Sequence, residues 1–224
     1  MTGADVENGN VPPGGHATDS AIGAAIEVAV AGLDRGELPV GAVVFDAEQV
    51  LGSAYTQERA QGRRLVHADL LALEPADKAL GFRPASGELT LAVTVEPCLM
   101  CMGAAVALGV SRVWFALESP DDGAAELLRV RQPPVRSPHF VKPREVLGGI
   151  RRDESRRLFR RYAEGTGPAG MRRWAQQLGN QQGGRLTAWV AITVSGPQCS
   201  RCVREPRRSR IPALVRPSVR SHRR

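Results

Sequence analysis

The chain has 224 residues, 42% of them hydrophobic, enough for one globular domain with a buried core and sequence to spare. No apolar run approaches the roughly 20 residues of a membrane span. No basic start followed by an apolar stretch marks a signal peptide, so a cytoplasmic location with free thiols is expected. The net charge of +7 points first to nucleic acid, but residues 181–224 hold ten arginines against one acid, Glu205, while residues 1–180 hold 20 basic and 22 acidic side chains. A near-neutral body argues against a grip on an RNA backbone.

Residues 1–17 are polar and rich in Gly and Pro, and read as a disordered lead-in. Thr18 or Asp19 then caps a helix whose apolar face is Ile22, Ile26, Val30 and Leu33, ended by Gly36. Leu38 to Phe45 is apolar and β-branched, hence a strand, and Gln49 to Tyr55 is its antiparallel partner across a short turn. Residues 56–66 are polar and read as a loop, and Leu65 to Leu73 opens a second helix. Glu88 to Val95 is a third strand, Cys98 to Leu108 a helix stopped by Gly109, and Ser111 to Leu117 a fourth strand. Residues 118–138 form a long loop with helical potential near 124–130. Phe140 to Val146 is a candidate fifth strand and Arg151 to Ala163 an amphipathic closing helix. The alternation of strands and helices predicts a layered α/β domain over residues 18–179. Beyond it, residues 180–224 read as a basic Arg/Pro-rich tail outside the folded unit.

Cys98 and Cys101 follow Pro97 at a helix start. Their spacing sets two sulfurs on the first turn, where unpaired N–H groups favour thiolates. His67 opens another helix and offers an imidazole nitrogen. Three ligands leave a fourth tetrahedral position open, the mark of catalytic rather than structural zinc. A Cys-x-x-Cys pair alone equally suits a structural zinc or a redox pair. The fuller pattern is His67, an acid two residues later, then Pro97-Cys98-x-x-Cys101, which is the H-x-E then P-C-x-x-C signature of zinc deaminases with Asp69 in place of the Glu.

On these residues the chain resembles the cytidine and deoxycytidylate deaminase superfamily, on the side of bacterial tRNA adenosine deaminases and nucleoside or guanine deaminases. The matching stretches are Leu38 to Val44, His67-Ala68-Asp69, Thr94 to Ala104, Ser111-Arg112-Val113, Gly123-Ala124-Ala125 and Gly148-Gly149-Ile150. The resemblance implies a three-layer sandwich around a mixed five-stranded sheet, a Zn2+ cofactor on His67, Cys98 and Cys101, and a homodimer. It also implies that Gly41, Ala42 and Ala68 line the pocket through their backbones.

Three departures bear on function. Asp69 stands where the family has a proton-shuttling Glu, and its arm is shorter by about 1.5 Å. It is read as the catalytic acid, with a helix-capping role as the alternative. Thr56 replaces an Asn that contacts base or ribose in relatives. Arg63-Arg64-Leu65-Val66 replaces the loop usual before the His in the tRNA enzymes. The expected partner is therefore a small nucleobase or nucleoside, a purine or analogue. A tRNA adenosine and a non-catalytic, zinc-stabilised subunit stand as alternatives.

Overall fold

The computed structural model describes residues 15–82, 88–130, 142–181 and 188–190. Chain order runs α1 (Gly15–Leu33), a β-hairpin of β1 (Gly41–Asp46) and β2 (Gln49–Tyr55), then the short α2 (Glu58–Gln61) and α3 (Ala68–Leu80). Next come β3 (Leu89–Val95), α4 (Leu99–Leu108), β4 (Arg112–Leu117), α5 (Ala125–Val130) and β5 (Glu145–Leu147). The series ends with α6 (Arg152–Ala163), α7 (Ala169–Asn180) and β6 (Ala188–Val190). The described residues belong to one unit, residues 1–192, whereas residues 193–224 lie outside the described part.

The sheet order is β2-β1-β3-β4-β5-β6. The hairpin pairs antiparallel with β3, whereas β3, β4 and β5 run parallel, so the sheet is mixed. Its first four strands are those expected from sequence, with shifted ends, and the fifth is confined to Glu145–Leu147 at the end of the expected 140–146, of which 140 and 141 lie outside the described residues. The sixth, β6, pairs antiparallel with β5 and falls within the stretch read as tail. Helix α1 packs on β1 and β3 and touches α6, which packs on β4; α3 packs on β1 and β2 and touches α4. Strand alternation sorts the core between these layers. Ala92, Trp114 and Ala116 meet Ile22 and Ile26 of α1. Leu91, Val93, Val113, Phe115 and Leu117 join Met102 and Val106 of α4.

Further elements differ from the sequence reading. Helix α1 begins at Gly15, so residues 15–17 belong to it rather than to the lead-in, and Thr18 and Asp19 lie inside it rather than capping it. Residues 58–61 close a helical turn because the buried Glu37 carboxylate accepts the backbone N–H groups of Arg59 (3.1 Å) and Ala60 (2.6 Å). The second helix begins at Ala68 rather than Leu65, with His67 as its extended N-cap residue. Helix α7 was not anticipated. It docks on α6 through Ala175 and Leu178, both buried.

Candidate active site

The site lies beyond the carboxyl ends of the parallel strands β3 and β4, the usual ligand position in an open α/β sheet. Two helix N-termini meet there. His67 is the N-cap residue of α3 and Cys98 that of α4, both with extended backbone. Cys101 follows in the first turn of α4 and is fully buried. Gly109 ends α4 in the left-handed conformation, as the sequence predicts. Extended N-caps turn the three side chains off the helix axes and towards one another, while the helix dipoles add positive potential where thiolates are needed.

His67 Nδ1 lies 3.7 Å from Cys98 Sγ and 3.6 Å from Cys101 Sγ. Tetrahedral zinc, with bonds of about 2.3 Å to sulfur and about 2.0 Å to nitrogen, spaces its N and S ligands by about 3.5 Å. The three groups are therefore positioned to hold a metal, and they form the one His/Cys/acid cluster of this kind among the described residues. His67 is raised above the ordinary imidazole value, chiefly by Cys98 against its Nδ1, with Glu58 also raising it against burial. The Cys98 thiol is held down to about 4, first by the Cys101 thiol and then by His67, against burial. Cys101 is pushed up, because its proton is shared with Cys98 and because it is buried.

Asp69 follows two residues after His67, in the first turn of α3 and 4% exposed. Its Oδ1 is buried without a hydrogen-bond partner. Burial is the main cause that pushes this carboxyl up to about 6. A group near that value gives and takes protons at neutral pH, which general acid–base catalysis requires. The cap position of α3 is held by His67, whose side chain makes no capping hydrogen bond.

His67, Ala68, Asp69 and Cys98 line a cavity of about 350 Å3. Thr56 also reaches it. Its buried hydroxyl lies 3.3 Å from both Glu58 Oε2 and the Val66 carbonyl. Gly41 and Ala42 do not line the cavity. The Gly41 amide donates to Thr94 Oγ1, and Ala42 lies inside the sheet, paired with Ala54 and Val93. Gly41 is glycine for packing, since a Cβ there would stand 2.3 Å from the Ala25 carbonyl of α1. Leu38 and Val40, in the segment leading into β1, take the place at the cavity expected of Gly41 and Ala42.

The sequence reading missed Glu58, Glu96, Asp122, Met171 and Trp174, which line the cavity together with Ser119, where relatives place an Asp. Glu58 Oε1 lies 3.8 Å from His67 Nε2, the nitrogen turned away from the sulfurs. The Glu96 carboxylate accepts N–H groups from Ser119 (3.1 Å) and Ala125 (2.8 Å), which fastens the loop after β4. Burial raises the Glu96 carboxyl. Asp122 accepts from the Ser119 hydroxyl. Met171, Trp174, Ala175 and Leu178 follow an i, i+3, i+4, i+7 pattern after Pro168, a helical signal that was present in the sequence. Phe159 of α6 is fully buried, with the Trp174 ring against it. Arg63 and Arg64 are exposed. His139, Cys199 and Cys202 lie outside the described residues.

Residues 17–117 match the model of the cytidine and deoxycytidylate deaminase zinc-binding region. The chain is 34% identical over 131 residues to the tRNA-specific adenosine deaminase of Bacillus subtilis, covering 58% of this chain and 78% of that protein. It is 35% identical over 146 residues to the tRNA(Ile)-lysidine synthase of Deinococcus radiodurans, covering 63% of this chain and 24% of that protein. The chain thus spans about a quarter of the lysidine synthase relatives it matches. A solved structure from work on A-to-I editing by tRNA:A34 deaminases superposes with a TM-score of 0.52 at 26% identity, over 62% of this chain and 98% of that one. The cluster of His67, Cys98 and Cys101 lies inside the matched region, and the chain belongs to the cytidine and deoxycytidylate deaminase family of zinc-binding domains.

Proposed function

We propose that the chain hydrolytically deaminates a free nucleobase or nucleoside, an amino-purine or an analogue, replacing the exocyclic amine with oxygen and releasing ammonia. One observation carries the choice of substrate. Among the described residues, the cavity beside His67 and Cys98 is lined by four carboxylates, Glu58, Asp69, Glu96 and Asp122, and by no Lys or Arg. Such a lining suits neutral rings that present N–H donors and repels phosphate. Its volume of about 350 Å3 is within the usual range for small-molecule sites.

In this reading His67, Cys98 and Cys101 hold zinc, which when bound supplies Lewis acidity and lowers the pKa of a water towards about 7. Asp69 accepts the proton of the attacking water and delivers it to the ring nitrogen; it then takes the proton of the newly added hydroxyl and passes it to the amine as the C–N bond breaks, leaving a carbonyl and releasing ammonia. Its desolvated carboxyl, with a pKa of about 6, matches both halves of that task. Glu58, facing the outer nitrogen of His67, holds the imidazole in its ligating orientation. The test is ammonia release from guanine, adenosine, cytidine and their analogues by zinc-loaded protein. No release from any of them would end this reading.

The relatives favour a second reading, in which the base is a tRNA adenosine extruded into the same cavity. Inosine formation in an anticodon stem-loop, falling steeply with salt, would establish it.

A further inference from the structure

Helix α7 brings three residues to the cavity, Gly170, Met171 and Trp174, all without charge. The remainder of the lining includes the four carboxylates and the metal-site residues, so the cavity pairs an acceptor-rich part with an apolar one. The apolar part is held in place. The Trp174 ring meets the fully buried Phe159 edge-to-face, with centroids 5.7 Å apart and planes at 81°. Met171 Sδ accepts from the Tyr162 hydroxyl at 3.6 Å. Ala175 and Leu178 are buried against α6, and a Cβ at Gly179 would stand 2.6 Å from the Arg160 side chain, so the two helices lie close together. An indole fixed in this way loses little freedom when a flat ring lies on it. Gly170 differs from Gly179. A Cβ there would meet nothing within 4 Å, so a side chain at 170 extends into open space beside the cavity.

We propose that α7 is the specificity element of this site, with Trp174 and Met171 forming an apolar wall for a planar amino-heterocycle whose N–H edge faces the carboxylates, and with Gly170 kept bare to leave room for the ring. The proposal rests on the small-substrate reading above. It adds that ring recognition comes from a helix beyond residues 17–117, the region matched by the family model.

The test uses the full chain and 2-aminopurine, a planar amino-heterocycle whose own fluorescence is quenched on stacking. Wild-type protein is expected to bind and quench it. Trp174→Ala should weaken binding by roughly 5- to 100-fold, the range that base–aromatic stacking gives on alanine substitution. Trp174→Phe should restore most of the loss. Gly170→Leu should also weaken binding while zinc content and Tm stay at wild-type values, which separates a blocked cavity from a damaged fold. For any base that is turned over, Trp174→Ala should raise KM more than it lowers kcat. Absence of 2-aminopurine binding by wild-type protein, or unchanged binding in both Trp174→Ala and Gly170→Leu, overturns the proposal. Binding that depends on Trp174 in a chain that releases no ammonia from any free base would leave the wall standing and remove the deamination reading instead.

Discussion

Replacing Asp69 with Asn tests the acid separately from the chemistry. Asp69 is buried with its Oδ1 unpartnered, and its pKa rises from the ordinary 3.8 to about 6. Each tenfold change in ionisation is worth about 1.4 kcal/mol, so the ionised carboxylate costs the fold about 3 kcal/mol. The sign follows from the direction of the shift. The folded pKa lies above the unfolded one, so stability is complete below about pH 4 and is lost as pH rises through about 6. Asn has the same shape and does not titrate. Under chelation, Asp69→Asn should therefore match wild-type at pH 4 and melt roughly 6–12 °C higher at pH 8, at about 2–4 °C per kcal/mol for a domain of this size. The assay is a series of thermal melts from pH 4 to 8. A difference in Tm that does not vary with pH, or a less stable Asn variant at pH 8, would refute the reasoning.

Three further outcomes follow from named contacts. Glu58→Ala should lower zinc affinity about 10- to 100-fold in a chelator competition, with Glu58→Gln in between, because the carboxylate faces His67 Nε2. Gly41→Val should destabilise by about 1–3 kcal/mol or more in denaturant titrations, since a Cβ there would stand 2.3 Å from the Ala25 carbonyl. Phe159→Ala should cost about 3–5 kcal/mol, read in the same titrations, because the ring is fully buried and supports Trp174.

The legible parts of this protein were local. The apolar runs at 89–95 and 112–117 produce strands buried on both faces within a residue of expectation, because a short apolar run bounded by turn signals reports itself in sequence. Pro97-Cys98-x-x-Cys101 and His67 are legible because helix N-termini and ligand spacing are local features. Long-range features were not. That Glu58 faces His67 depends on Glu37, 22 residues before Arg59, capping a single helical turn. The glycine at 41 reads as a pocket residue by resemblance and proves to be a contact point for α1. Trp174 had a helical pattern around it, yet only the packing of α7 on α6 brings it to the cavity with Asp69.

The most direct test of the central claim is ammonia release by purified, zinc-loaded chain, measured beside the Asp69→Ala variant at equal zinc content across guanine, adenosine, cytidine and analogues. The wild-type chain should release ammonia from at least one amino-heterocycle and the variant from none, with one zinc per chain in both. Full zinc occupancy with no release from any of them, or equal release by the variant, would contradict it.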